Sequence, residues 1–210
     1  VDRPFDQRRD LLVADLNGST GNLAIVGGPQ SGKSTALRTL ILSLSMTHTP
    51  EQIQFYCLDF GGGTLLGLKD LPHVGSVANR LDSDRVRRTV AEVLGVVAKR
   101  ERLFRDLGIE SMADFRRLRT ADPTGEGEAA GLREDPYGDV FLVVDGWPSV
   151  RSDFESLEPQ INMLAGQGLS FGVHVIVTTS RWAEIRPALK DQLGTRIELR
   201  LGDPGDSDAG

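Results

Sequence analysis

The sequence has one cysteine, Cys57, three histidines, and aromatic residues at only 6% of its 210 positions. A lone cysteine excludes a disulfide framework and any cysteine-based zinc site. His48, His73 and His174 are scattered without metal-ligand spacing, so no structural zinc is expected. No apolar run approaches the roughly 20 residues that a membrane helix needs. The first residues also lack the charged-then-apolar pattern of a signal peptide. The segment is therefore expected to be soluble, with no direct membrane insertion. Positive charge is not in excess: 24 Lys+Arg face 30 Asp+Glu, a formal charge of −6. That balance argues against a surface given over to nucleic acid. The 39% hydrophobic content excludes a wholly disordered chain. The length suits one α/β domain and is short for two. Beginning at Val1 and ending in a Gly/Asp-rich stretch, the sequence reads as one domain, 1–210, excised from a longer chain.

Apolar runs and turn residues alternate along the chain. Leu11–Leu16 closes on Asn17-Gly18, which predicts a hairpin or tight turn leading into a strand over Asn22–Val26. Ser34 to about Ser45 has helical spacing, with Leu37, Leu40, Ile41 and Leu44 on one face. Ile53–Leu58 reads as a strand buried on both sides and stopped by Gly61-Gly62-Gly63. Val74–Ala78 is a further short strand. Asp82 to about Leu107 is a long helix that Asp82 or Asp84 can cap and Gly108 ends. Ser111-Met112-Ala113-Asp114 resembles a capping box, opening a helix to about Arg119. Ala121–Gly138 is polar and reads as a mobile surface loop. Strands over Val140–Val144, Val173–Thr179 and Arg196–Leu201, and helices over Phe154–Leu164 and Ile185–Leu193, complete the series. Strands alternating with helices predict an α/β fold: a parallel sheet with helices on both faces.

Gly27-Gly28-Pro29-Gln30-Ser31-Gly32-Lys33-Ser34 matches G-x-x-x-x-G-K-[ST] at every required position, between a strand and a helix. Gly27 and Gly32 permit backbone angles and close approaches that a Cβ would block, letting N–H groups converge on phosphate oxygens. The helix start adds its positive dipole end. Lys33 is placed to reach the β- and γ-phosphates, Ser34 to offer its hydroxyl to Mg²⁺, and Thr35 to lie near the α-phosphate. ATP and Mg²⁺ are the expected ligands of this P-loop NTPase pattern.

Phe141-Leu142-Val143-Val144-Asp145 has the form of a Walker B strand, whose acid meets the ligand crevice and holds Mg²⁺ through a water. Many hydrolysing P-loop proteins place a glutamate next, where it polarises the attacking water. Here Gly146 and Trp147 follow, and neither accepts a proton. A positioned general base typically contributes about 10²–10⁴-fold in rate, so binding with weak or absent hydrolysis is expected. Asp145 and Asp59 are the candidate catalytic acids, although Asp59 equally suits the start of the Gly61–Gly63 turn. Thr178 and Thr179 end another strand as sensor-like candidates that turn a hydroxyl towards the γ-phosphate. Arg181, Arg196 and Arg200 are candidates for phosphate or inter-subunit contacts, against a plainer reading as surface ion-pair residues.

The long helix carries Arg87, Arg88, Lys99, Arg100, Arg102 and Arg105, followed by Arg116, Arg117 and Arg119. Such a cluster suits nucleic acid, but acids interleave it and no aromatic platform accompanies it. A solvated or domain-facing helix with ion pairs is the favoured reading. Trp147 and Trp182 each follow a strand end, with core packing as their default role.

Five segments carry a resemblance: Val26–Leu37 (VGGPQSGKSTAL), Leu58–Leu66 (LDFGGGTLL), Arg100–Met112 (RERLFRDLGIESM), Val140–Trp147 (VFLVVDGW) and Glu198–Asp208 (ELRLGDPGDSD). Together they resemble the FtsK/SpoIIIE-type P-loop ATPases and, more closely, the EccC ATPase domains of type VII (ESX) secretion. The Asp-Gly-Trp variant is most similar to the second such domain. The resemblance implies a RecA/FtsK-like fold, ATP and Mg²⁺ binding, and degenerate hydrolysis. It implies neighbouring EccC ATPase domains and the membrane components of the secretion machine as partners, at the cytoplasmic face of the cell membrane. WXG100-class proteins are the implied cargo. A DNA translocase motor, which shares the fold, is the alternative; the acidic balance and the missing glutamate favour protein export.

Overall fold

The computed structural model describes residues 13–121, 131–132, 135 and 137–208, with the backbone of 2–3 and 8–9. Six parallel strands form the central sheet. They are β1 (Leu23–Val26), β2 (Ile53–Asp59), β3 (Val74–Asn79), β4 (Asp139–Asp145), β5 (Val173–Thr179) and β6 (Thr195–Glu198), in the spatial order β3-β2-β4-β5-β1-β6. Every residue of β2 and of β5 is buried, because helices cover both faces of a parallel sheet. Side chains alternate between two cores. Leu23 and Ile25 turn towards α1 (Lys33–Thr47) and meet Leu37 and Ile41. Ala24 and Val26 turn the other way, into a core shared with α2 (Ser83–Leu107), α4 (Pro148–Asp153) and α5 (Glu158–Gln167). A third cluster joins the end of α2 to α3 (Met112–Ala121) through Phe104, Ile109, Met112 and Phe115.

The punctuation residues act as the sequence indicates. Asp82 caps α2 by accepting the Arg85 N–H at 3.0 Å, and Gly108 ends it with φ +63°. Ser111 accepts the Asp114 N–H at 3.1 Å and donates its hydroxyl to the Asp114 carboxylate. Three expectations are corrected. Phe154–Leu164 is not one helix: Phe154 leaves helical angles (φ −137°, ψ 41°), Glu155–Leu157 is a 3₁₀ turn, and α5 starts only at Glu158, with Pro159 in its first turn where a missing N–H costs nothing. Ile185–Leu193 shortens to α6 (Pro187–Lys190), again opened by a proline. The Asn17-Gly18 stretch forms a single 3₁₀ turn, Gly18–Thr20, and residues 13–16 are not in a strand. Residues 11–12 of the first apolar run lie outside the described residues, as does most of the polar stretch read as a loop (122–130, 133, 134 and 136).

Arg100 is the largest departure from the reading of α2 as a solvated basic helix. Its side chain is fully buried. Its guanidinium pairs with Asp135 and donates to the Phe171 carbonyl at 2.7 Å and the Tyr137 carbonyl at 2.8 Å. A planar fork with five donors is suited to such a site, tying α2 to the lead-in of β4 and to the 3₁₀ turn Gly168–Phe171 that follows α5. Arg100→Ala is expected to destabilise the fold by about 3–5 kcal/mol, because Asp135 is left as an uncompensated buried charge. Urea denaturation reads this directly; a loss below ~1 kcal/mol would contradict it.

At the amino end of the sheet, Asp139 accepts two bonds from Arg116, at 2.7 and 2.8 Å, and lies 3.3 Å from the ring of buried His174. Burial works to raise the Asp139 carboxyl, but the contacts with His174 and then Arg116 outweigh it and hold the group below its ordinary value. A depressed carboxyl adds stability above the unfolded-state pKa, and that stability is lost as pH falls through the folded value. Arg116→Ala is therefore expected to move the onset of acid unfolding to higher pH. Circular dichroism along an acid titration checks this, and an unshifted midpoint would contradict it.

Candidate functional site

Parallel register brings the chemically active residues into one row. Asp59 pairs with Asp145, Asp145 with Thr178, and Thr179 with Val26, all at the carboxyl ends of adjacent strands. A cleft of about 540 Å³ opens above this row, lined by the phosphate loop, Gly61, Asp145, Gly146 and the end of β5. The phosphate-loop residues Gln30, Ser31, Gly32, Lys33, Ser34 and Thr35 all face it. Gly27, Gly28 and Pro29 form the approach from β1.

The two motif glycines are needed for different reasons. Gly32 has φ +96° and open space around it, so its backbone angle is the requirement. At Gly27 a Cβ would collide with the Ser31 hydroxyl and Leu199, so close packing is the requirement. Gln30 also adopts a left-handed angle, φ +56°, the one non-glycine among the described residues to do so. Such strain, about 1–3 kcal/mol, is held in place by its surroundings. Gly27 N–H donates to the Thr179 carbonyl at 3.1 Å and Gly28 N–H to the Arg200 carbonyl at 2.8 Å, which fastens the loop to both flanking segments. β6 thus ends at Glu198, short of the expected Leu201, and the chain beyond it braces the loop instead. No side chain caps the start of α1, leaving its first N–H groups to the cleft.

Lys33 donates to the Gly27 and Gly28 carbonyls at 2.6 and 2.9 Å. Burial lowers its pKa, while the carboxylates of Asp145 and Glu184 act in the opposite sense. Asp145 is buried: its Oδ1 accepts the Thr178 hydroxyl at 2.6 Å, and its Oδ2 has no hydrogen-bond partner. A buried carboxylate oxygen without a donor is costly unless a cation or water meets it. Together with the Ser34 hydroxyl on the same cleft, this donor set fits a hard, oxygen-preferring cation such as Mg²⁺. Gly61 faces the Asp145 carboxylate so closely that a Cβ there would overlap it.

Asp59 is differently engaged. Its two oxygens accept the Gly63 N–H at 3.0 Å and the Leu65 N–H at 2.7 Å, so it shapes the glycine loop. Gly146 has φ +97° and faces Phe60, a backbone setting that disfavours any side chain, glutamate included. Trp147 and Trp182 are both buried. Of the three arginines, Arg181 lies 3.8 Å from Glu184, Arg196 pairs with Asp208 at 2.7 Å, and Arg200 contributes its backbone carbonyl to the phosphate loop. None of the three lines the cleft.

Sequence reasoning missed Glu184 and Gly61. Glu184 accepts the Thr179 hydroxyl together with the Ser180 and Arg181 N–H groups, at 2.9 and 3.3 Å for the latter two. Its signal was a glutamate a few residues past a Thr-Thr-Ser strand end, spaced to cap the turn. Gly61 stood in plain view as part of a triple glycine, but only the fold shows which of the three touches Asp145.

A family model for the FtsK/SpoIIIE family matches residues 1–210. The chain is 58% identical over 208 residues to the ESX secretion system protein EccC of Thermomonospora curvata, covering 99% of this chain and 15% of that protein. Against the ESX-4 secretion system protein EccC4 of Mycobacterium tuberculosis it is 54% identical over 208 residues, covering 99% and 16%. In structure it matches T. curvata EccC (ATPases 2 and 3), solved with a signal sequence peptide, at TM-score 0.89 and 57% identity, over 99% of this chain and 36% of that one. The chain thus spans a minor part of each of these relatives. It belongs to the FtsK/SpoIIIE family and, within it, to the EccC-type ATPase domains of type VII (ESX) secretion.

Proposed function

We propose that this chain binds ATP with Mg²⁺ and hydrolyses it slowly, as one ATPase domain of an ESX secretion motor. The observation that carries the reading is the Asp145 carboxylate: one oxygen is fixed by Thr178, and the other is buried without a donor in the cleft of Lys33 and Ser34. The start of α1 and the loop N–H groups bind phosphate oxygens, and Lys33 exchanges its two loop carbonyls for the β- and γ-phosphates. Ser34 and Asp145 would hold Mg²⁺, which when bound neutralises phosphate charge. No base follows Asp145, and the φ of Gly146 leaves no comfortable place for one. Nucleotide occupancy is then a structural signal more than a source of rapid turnover.

The Asp-Gly-Trp sequence supports assignment as the second ATPase domain, working beside neighbouring domains at the cytoplasmic face of the membrane in export of WXG100-class proteins. The relative solved with a signal sequence peptide supports a protein cargo. Burial of Arg100 supports it as well, since it removes one cation from the surface that a DNA reading of α2 requires.

Lys33→Ala is expected to weaken ATP binding about tenfold or more, as loss of a charge-assisted bond worth ~1.5–3 kcal/mol implies. Isothermal calorimetry measures it, and an unchanged affinity would refute the nucleotide assignment. Gly61→Ala is expected to push the Asp145 carboxylate aside and so reduce the gain in ATP affinity that Mg²⁺ provides, with little effect on binding in EDTA. Equal weakening in both conditions would show that Gly61 supports only the fold.

A further inference from the structure

The chain beyond β6 leaves the sheet at Glu198 and then returns to it. Leu199 and Leu201 pack against the two main cores, one on each side of the sheet. The chain next turns through Asp203, which accepts the Gly205 N–H at 2.8 Å, and through the 3₁₀ turn Pro204–Asp206. Ser207 and Asp208 close the loop on Glu198 itself. The Ser207 hydroxyl donates to Glu198 Oε2 at 2.6 Å, and the Asp208 N–H donates to Oε1 at 2.8 Å. Residues 199–208 thus form a compact surface loop whose two ends meet.

The two sides of this loop are held differently. Its near side lies against the phosphate loop: the Arg200 carbonyl accepts the Gly28 N–H at 2.8 Å, and a Cβ at Gly28 would stand 3.2 Å from the Gly202 nitrogen. Its far side is held by charge. The Asp208 carboxylate bridges Lys190 of α6 at 2.8 Å and Arg196 of β6 at 2.7 Å, and all three side chains are partly exposed. The same two cations lie over the buried Trp182 ring, 5.3 and 5.4 Å from its centre, and the Trp182 N–H donates to Glu198. None of residues 202–208 is buried. Segments with few buried apolar contacts open far more readily than the fold as a whole, and partly exposed ion pairs hold weakly. A loop that opens easily therefore backs the one loop that has to stay in place around phosphate.

We propose that residues 199–208 act as a latch on the nucleotide cleft, with Asp208 as the positioning residue that keeps it shut. This rests on the nucleotide reading and adds to it what sets the rate of release. With Asp208 clasped by Lys190 and Arg196, Gly202 stays against Gly28, and the phosphate loop keeps the arrangement that phosphate meets. Such preorganisation favours the bound state. With Asp208 free, the backing leaves Gly28 and bound nucleotide departs sooner. Asp208 does not line the cleft, so it acts on nucleotide only through Gly202 and Gly28.

The test binds a ribose-labelled fluorescent ATP with Mg²⁺ to the chain and chases it off with excess unlabelled ATP in a stopped-flow instrument. Asp208→Ala is expected to speed dissociation about fivefold with association changed less than about twofold, as differences between close variants fall mainly on dissociation. Lys190→Met keeps the apolar stem and drops the charge. It is expected to give a smaller rise, about twofold, since Arg196 still holds the carboxylate. The double variant is expected to release nucleotide no faster than Asp208→Ala, because Lys190 reaches the loop through Asp208. The urea midpoint of each nucleotide-free variant is expected to stay near that of the unaltered chain. Should Asp208→Ala fail to fold, Lys190→Met carries the test. Unchanged dissociation in either single variant, an additive double variant, or faster release with a matching loss of stability would overturn the latch while leaving ATP binding standing. Failure of the unaltered chain to bind the labelled ATP would overturn both readings.

Discussion

The bond from Thr178 to Asp145 crosses between neighbouring strands and decides which carboxylate oxygen is left for the cleft. With Oδ1 occupied, Oδ2 stands buried and bare above Gly61. That arrangement depends on β5 lying between the phosphate-loop strand and the Asp145 strand, with all three parallel and in register. A slip of one residue would turn Asp145 or Thr178 to the opposite face. The fully buried strands prevent it, since each carries apolar side chains matched to two separate cores.

The same geometry is what the proposed separation of binding from turnover rests on. The phosphate loop is anchored on both sides, by the Thr179 and Arg200 carbonyls, and carries the left-handed Gln30 between those anchors and α1. A loop held in this way is preorganised for the phosphate binding proposed above, and preorganisation reduces the cost of binding. The position after Asp145 offers no comparable help to chemistry. Its left-handed backbone and its contact with Phe60 make glycine a requirement of the local fold as well as a missing side chain. Loss of the base is built into the backbone, and a single substitution to glutamate would meet strain before it met water.

Much of this was legible in the sequence because the decisive signals were local. The phosphate-loop pattern, the apolar strand ending in Asp145 and the caps at Asp82, Gly108 and Ser111 each need only a few adjacent residues. What escaped was set by tertiary contact. Arg100 looks like its basic neighbours on α2, and only the approach of Asp135 and the Phe171 carbonyl draws it inside. Glu184 reads as a turn residue until its carboxylate is seen gathering three donors. Pro159 was available as a helix opener, but Phe154–Leu164 read as one helix, and the separate short helix opened by Pro148 was not read at all. Membership in the FtsK/SpoIIIE family, by contrast, was carried by combined motifs spread over nearly the whole chain.

The central claim is that ATP is held here longer than it is consumed. Its most direct test is the nucleotide released on denaturing the purified chain, resolved by ion-exchange chromatography and counted against protein. The expected result is nucleotide approaching one per chain, with ATP exceeding ADP. An empty site, or ADP alone, would contradict the account.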